Sequence, residues 1–307
     1  MQQLMLMPPR TTEPPETDST FNRLYHGTCE SVLPTLPDAC VDLIITSPPY
    51  ADQRKNSYGG IAPDEYVAWF LPIAAQLQRV LKPTGSFILN IKERVVNGER
   101  HTYVIELILA MRQQGWLWTE EYNWHKKNAY PGKWSNRFRD AWERCIHFTK
   151  QRKFAMYQEA VMVPVGDWAE GRLRNLSETD RRRDESRAKS GFGKNVSNWV
   201  GREMVYPTNV LHMATETGNR NHSAAFPVAL PAWFIRLFTL EGDVVLDPFI
   251  GSGTTAVAAK QLGRRWIGIE KEADYVQTAQ QRIREVSPPP SPGGSATLMA
   301  RLTGKNC

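Results

Sequence analysis

Two apolar runs restrict what this chain can become. VDLIITS (41–47) and DVVLD (243–247) are nearly continuous in Val, Ile and Leu. A strand with one wet face alternates apolar with polar residues. An unbroken run marks a strand covered on both faces, as in a parallel sheet lying between helices. The surrounding patterns agree. PDEYVAWFLPIAAQLQRVLKP (63–83) opens with Pro63, Asp64 and Glu65, and its Tyr66, Phe70, Ala74, Leu77 and Leu81 recur at helical spacing, with a kink expected at Pro72. GSFILNI (85–91) reads as a strand, and HTYVIELILAMRQQG (101–115) as a helix closed by Gly115. WLWTEEYNW (116–124) and AWERCIHFT (141–149) read as strands and FPVALPAWFIRLFTL (226–240) as a helix. After DVVLD come the helix TTAVAAKQLG (254–263), the strand RRWIGIE (264–270) and the helix ADYVQTAQQRIREV (273–286). Such alternation predicts an α/β fold with a mainly parallel sheet and right-handed crossovers.

Both apolar runs end at the sheet edge where open α/β folds bind ligands. In DPFIGSGTT (247–255) no lysine precedes Thr254 and Thr255, so a phosphate loop is excluded, and Ala256 breaks the full dinucleotide glycine pattern. Gly251 and Gly253 are expected to let the backbone approach a ligand. Asp247 ends one strand and Glu270 the next, where a carboxylate accepts ribose hydroxyls. A nucleoside cofactor without a large phosphate group is implied, and S-adenosylmethionine fits better than NAD.

The other run leaves its strand as Ser47-Pro48-Pro49-Tyr50. Neither proline has an N–H, and both fix φ, so the Pro48 carbonyl is held stiffly beside the Ser47 hydroxyl. Tyr50 adds a flat face for stacking. An exocyclic amine must become more tetrahedral to attack a methyl sulfonium, with its hydrogens aimed at acceptors. A hydroxyl and a fixed carbonyl beside an aromatic ring supply that geometry by positioning and charge stabilisation.

TSPPY together with DPFIGSGTT resembles the amino-methylating DNA methyltransferases in their permuted β class, where the catalytic motif comes early, the cofactor motif late and the target-recognition region between. The resemblance covers about residues 21–286. It extends to GTCESVLPTLPDACVDLIITSPPY (27–50), NWHKKN (123–128) and NHSAAFPVALPAWFI (221–235). It implies a Rossmann-like S-adenosylmethionine-dependent methyltransferase fold of circularly permuted motif order, with an inserted target-recognition region. Its expected divisions are a disordered segment at 1–20, a catalytic half at 21–150, the insert at 151–208, a cofactor-binding half at 209–286 and a disordered tail at 287–307. Ser47, Pro48, Pro49 and Tyr50 would orient and stack on a flipped base. Asp247, Phe249, Gly251, Ser252, Gly253, Thr254 and Glu270 would hold the cofactor, with His222 and Phe226 near its methionine and adenine parts. Family members often carry Asp after the glycine where this chain has Gly27-Thr28, so the role of Thr28 stays open.

Ser in the first motif position goes with cytosine N4 in the family, and Asp or Asn with adenine N6. Cytosine N4 is therefore the expected target, with adenine N6 the alternative and a non-catalytic nucleic-acid-binding protein on this fold the rival from another class. Methylation at C5 needs a cysteine nucleophile, usually after proline, and none of Cys29, Cys40, Cys145 or Cys307 follows one.

The formal net charge of +6 suits a polyanionic partner without requiring one. The polar, arginine-rich stretch at 172–204 is either a solvated loop or a nucleic-acid-facing insert, and its Arg172, Arg174, Arg181, Arg182 and Arg183 are candidates for phosphate and guanine contacts. Arg54 and Lys55, in the glycine-containing loop 51–60, are phosphate contacts or ordinary solvated charges. Trp124, with Lys126 and Lys127, flanks the flipped base or belongs to the core. Double-stranded DNA is the expected partner, with a cognate restriction endonuclease and a second copy of the chain as further candidates. The cysteines are scattered without a metal-ligand spacing, no apolar run reaches membrane-spanning length, and the start MQQLMLMPPRTTEPPE lacks the features of a signal peptide. No metal, no membrane and a cytoplasmic location are expected.

Overall fold

The computed structural model describes residues 20–51, 60–129, 132, 135–166, 177–178, 202–216 and 226–289. The ends expected to be disordered lie outside these residues except for 20 and 287–289, as does most of the arginine-rich stretch.

The frame is an eight-stranded sheet. In chain order its strands are β1 (Arg23–His26), β2 (Val41–Thr46), β3 (Leu81–Ile91), β4 (Leu117–Lys126), β5 (Trp142–Thr149), β6 (Val210–Met213), β7 (Val244–Asp247) and β8 (Arg265–Glu270). Across the sheet they run β1-β8-β7-β2-β3-β5-β4-β6. Neighbours are parallel except at β5, which is antiparallel to both β3 and β4. The helices are α1 (Cys29–Val32), α2 (Tyr66–Val80), α3 (Tyr103–Gln113), α4 (Ala229–Phe238), α5 (Thr254–Gln261) and α6 (Ala273–Arg284). Among the described residues no helix is long and apolar enough to cross a membrane.

The unbroken apolar runs have the cause expected of them. Ile44 of β2 packs with Leu246, Phe70 and Leu77 on one face of the sheet. Its neighbours Leu43 and Ile45 pack with Val245, Leu230 and Phe234 on the other. The helical face read from spacing is equally real: Tyr66, Phe70, Ala74 and Leu77 are all buried. Pro63–Glu65 form a 3-10 turn leading into α2, which runs on through Pro72. Leu81 already belongs to β3, opposite Val41, and the register then shifts, so that the strand starts earlier than the sequence suggests. Gly115 follows α3 at φ +98°, with its N–H on the Arg112 carbonyl and the Trp116 N–H on that of Met111. This is the paired closure that a left-handed glycine permits.

The division of the chain differs from the expected one in two places. The segment after β5 does not leave the body at 151. Ala155 donates to the Thr84 carbonyl at 2.9 Å and Tyr157 to that of Leu237 at 2.6 Å. The Phe154 ring lies 5.1 Å from His147 and 6.3 Å from Phe238, and Val161 is buried in the second core cluster. Val163–Pro164 then pair with Met204–Val205 in a separate two-stranded ribbon. β6 adds to the outer edge of the catalytic half, parallel to β4, although its residues fall in the expected cofactor half. Its four residues are too few to show a period in sequence.

If residues 151–161 belong to the body, Phe154→Ala should destabilise the whole domain by about 2 kcal/mol in urea unfolding, toward the lower end of aromatic truncations because the ring is only half-buried. A loss below about 0.5 kcal/mol, the level of an ordinary surface change, would mean that the segment is detached.

Candidate active site

β8, β7 and β2 are adjacent, so Glu270, Asp247 and Thr46 end side by side on one edge of the sheet. Thr46 Oγ1 donates to Asp247 Oδ1 at 2.6 Å, joining residues 201 positions apart. The turns that follow face each other across a cavity of about 1030 Å³. Of the candidates, Ser47, Pro48, Pro49, Tyr50, Trp124, Lys126, Phe226, Asp247, Phe249, Gly251, Ser252, Thr254 and Glu270 line it. Gly253 and Lys127 do not line it. Arg54, Lys55, Arg172, Arg174, Arg181, Arg182, Arg183 and His222 lie outside the described residues.

Asp247 is buried and bonded through both oxygens. It accepts from Thr46 and Thr255 hydroxyls, each at 2.6 Å, and from the Phe249 N–H at 3.1 Å. Burial raises its pKa to about 6 against the lowering effect of those three bonds, and the charge of Glu270 adds to the rise. Its carboxylate ties the strand end to the glycine turn and to α5. It also lines the cavity, so this positioning role stands beside the expected contact with a cofactor.

Glu270 is arranged differently. Oε2 accepts the Gly251 N–H and Oε1 the Glu272 N–H, both at 2.9 Å. The carboxylate keeps acceptor capacity for a further donor. Burial again raises its pKa, opposed by these backbone donors and by the Lys271 N–H.

The two glycines have separate causes. Gly251 has φ +52° and faces the cavity. Gly253 has φ +86°, and a Cβ there would stand 3.0 Å from Ala279 Cβ and 3.1 Å from its Cα. The close approach at Gly253 is to α6, so the ligand-approach expectation is corrected for this residue. Arg282, also on α6, donates to the Ser252 carbonyl at 2.9 Å, to its hydroxyl at 2.7 Å and to Thr254 Oγ1 at 3.1 Å.

On the facing side, Ser47 Oγ donates to Tyr50 Oη at 3.2 Å, and Tyr50 Oη donates to Glu143 Oε2 at 2.8 Å. Asn90 Oδ1 lies 3.3 Å from the same hydroxyl, and its amide is held by the Arg144 carbonyl at 3.1 Å. Burial first, and then the Glu143 charge, push the Tyr50 phenol well above its ordinary range. Tyr66 Oη donates to the Pro49 carbonyl at 2.9 Å, fixing the turn from below. Lys126 is bonded to Glu143, so its charge is already partnered. It also lies 4.9 Å over the Trp124 ring, whose indole N–H donates to the Met213 carbonyl at 3.1 Å. Trp124 is therefore both core and cavity wall. Thr28 caps α1, accepting from the Ser31 N–H at 3.3 Å, and also lines the cavity.

Thr46, Thr255, Asn90, Glu143 and Arg282 were not singled out from sequence. The available signal was polar residues inside apolar strands: Asn90 in GSFILNI and Glu143 in AWERCIHFT. Trp69 on α2, which lines the cavity 5.8 Å from the Phe249 ring, carried no such signal because it looks like an ordinary core residue.

The model of the family N6_N4_Mtase, described as DNA methylase, matches residues 41–281. The chain is 30% identical over 293 residues to the type II methyltransferase M.PvuII of Proteus hauseri, covering 88% of this chain and 85% of that protein. It is 29% identical over 272 residues to the type II methyltransferase M.BglII of Bacillus subtilis, covering 85% and 68%. Among solved structures, the PvuII DNA methyltransferase (cytosine-N4-specific) superposes with a TM-score of 0.64 at 27% identity, covering 84% of this chain and 85% of that one. The complex of M1.HpyAVI with SAM superposes at 0.55 and 21% identity, covering 85% and 98%, a likeness of fold.

Gly253→Ala should lower unfolding stability by about 1–3 kcal/mol, from left-handed strain and the clash with α6, measured by denaturant midpoint. Asp247 generates a pH prediction. Its folded pKa of about 6 lies above the ordinary aspartate value of 3.8, so its contribution to stability is fully present below pH 4 and is lost as pH rises through 6. Asp247→Asn should remove that component of the slope in unfolding measured from pH 4 to 7. An unchanged slope would mean that Asp247 does not titrate there.

Proposed function

This chain belongs to the DNA methylase family N6_N4_Mtase, and from that premise we propose that it is a site-specific DNA methyltransferase acting on cytosine N4 in a short duplex sequence, with S-adenosylmethionine as methyl donor. One observation supports the reading most: the Ser47 hydroxyl and the Glu270–Gly251 pair, from distant parts of the chain, line a single cavity. The residues present fit the donor. Glu270 keeps acceptor capacity for a ribose hydroxyl, Phe249 and Trp69 offer apolar ring faces for a base, and Glu270 and Asp247 supply negative charge that suits a sulfonium.

When bound, S-adenosylmethionine supplies an electrophilic methyl group, and the chain's own groups do the rest. Ser47 Oγ and the Pro48 carbonyl accept from the target amine and turn its lone pair toward the methyl carbon. Pro48 and Pro49 hold these acceptors in place, and Tyr66 fixes the Pro49 carbonyl. A base inside a duplex cannot reach the bottom of this cavity, so the target nucleotide is flipped. Ser47 at the first motif position and the cytosine-N4 specificity of the PvuII enzyme both favour cytosine N4 over adenine N6. The type II designation of the relatives supports a restriction–modification setting, with a cognate endonuclease and a bacterial cytoplasmic location.

The test is to incubate the chain with genomic DNA and S-adenosylmethionine, digest the DNA to nucleosides and identify the product by mass spectrometry. N4-methylcytosine is expected. N6-methyladenine alone would overturn the base assignment, and no transfer to DNA would overturn the activity.

A further inference from the structure

We propose that Glu143 is a positioning residue which, acting through Tyr50, draws off the proton that the target amine loses, so that Ser47, Tyr50 and Glu143 form a directed proton relay from the cavity into the sheet. The inference rests on the methyl-transfer reading and assigns chemistry to a carboxylate which that reading leaves unused.

The geometry is ordered in one direction. Ser47 Oγ faces the cavity and donates to Tyr50 Oη at 3.2 Å, and Tyr50 Oη donates onward to Glu143 Oε2 at 2.8 Å. Every hydroxyl hydrogen thus points away from the target, leaving the lone pairs of Ser47 free to receive. Asn90 lies beside the middle hydroxyl at 3.3 Å and accepts only. Glu143 is 7% exposed, and its other oxygen is bonded to Lys126, which gives the buried carboxylate its counter-charge. A buried carboxylate with one oxygen on an ammonium and the other on a phenol is costly as scaffolding. Its position on β5 opposite Trp124 of β4 holds it at the end of the chain of hydroxyls.

The step balances as follows. The amine nitrogen's lone pair forms the bond to the methyl carbon, and the S–CH₃ bonding pair returns to sulfur, leaving a neutral thioether. The nitrogen now carries one hydrogen too many. That proton passes to Ser47 Oγ, the Ser47 proton to Tyr50 Oη and the Tyr50 proton to Glu143 Oε2. The positive charge brought by the sulfonium cancels the negative charge of Glu143, and the serine and tyrosine end neutral as they began. The strongly raised pKa of Tyr50 agrees with this part: the phenol passes a proton and does not store the phenolate charge. The relay thereby separates two duties. Ser47 orients the amine, and Glu143 supplies the basicity that a hydroxyl lacks.

The experiment compares wild type, Glu143→Gln, Tyr50→Phe and the double variant on a DNA that the wild type methylates. Tyr50→Phe keeps the ring for stacking and leaves the Glu143–Lys126 pair intact, which guards against a folding defect in the first variant. S-adenosylmethionine affinity is read by calorimetry, DNA affinity by fluorescence anisotropy and transfer by single-turnover kinetics. Each single variant should lose about 10²-fold or more in the transfer rate, the scale of one proton-transfer group, while both affinities stay within about threefold. The double variant should be no slower than the slower single, because both cut the same relay. Losses that multiply, or a Glu143→Gln enzyme at wild-type rate, would overturn the relay while the function stands. A wild-type chain that methylates no DNA overturns the function and the relay together.

Discussion

The Thr46–Asp247 hydrogen bond is the contact on which the site depends. It crosses two adjacent parallel strands whose residues are 201 positions apart, and it is made where both strands stop being strands. Strand pairing alone aligns Val245 with Leu43 and Leu246 with Ile44. It does not fix where the following loops go. By accepting from Thr46, Thr255 and the Phe249 N–H, one carboxylate sets the exit direction of the glycine turn, the start of α5 and the floor beneath Ser47. Burying that charge is unfavourable, as its raised pKa shows, and three donors offset only part of the cost. The gain is geometric: two halves that could slide past one another share a fixed point below the cavity.

The remaining constraints radiate from that point. Gly268 on β8 carries no side chain because a Cβ would stand 2.4 Å from Ile250 Cδ1, so the glycine turn lies flat on the neighbouring strand. Arg282 holds the turn from α6 through Ser252 and Thr254. The Ile250 N–H reaches the Ile269 carbonyl, and the Gly251 N–H reaches the Glu270 carboxylate. The turn is therefore held from beneath, from behind and from the side, while its Gly251 face stays open. That is the rigidity a positioning mechanism needs, since transfer in line tolerates little error in the separation of the reacting atoms.

Much of this was legible in the sequence because it is local. Continuous apolar runs gave the central strands, helical spacing gave α2 with its buried face, and the two short motifs gave the turns at the sheet edge. What escaped was non-local. Gly253 was read as a ligand contact because its neighbour in space, Ala279, is invisible from the motif. Glu143 and Asn90 sit in strands whose register with the Tyr50 turn depends on the antiparallel placement of β5, which no period reveals. The extent of the inserted segment was misjudged for a related reason. Composition changes near 151, but Phe154 and Val161 still find partners on α4 and β5, and composition counts only residues, not their contacts. A motif shows which atoms are offered, and only the topology shows which are already taken.

That distinction orders the charges of the cavity. Four buried carboxylates face it, and each is engaged to a different degree: Glu93 lies 3.3 Å from Arg144 Nε. Asp247 has its oxygens bonded within the protein and serves the frame. Glu270 is held by the backbone N–H groups of Gly251, Lys271 and Glu272 and keeps acceptor capacity for a ligand's hydroxyl. Glu143 is bonded to a cation and to a phenol whose hydrogen can move. The nearness of Asp247 and Glu270 raises the pKa of Asp247 further, so these two carboxylates repel where the strand ends meet. A cationic ligand relieves that repulsion on arrival, and its conversion to a neutral thioether restores it at Asp247 and Glu270, because the relay carries the proton to Glu143 on the facing side. The same field that attracts a sulfonium therefore favours release of the thioether, without any change of shape in the walls.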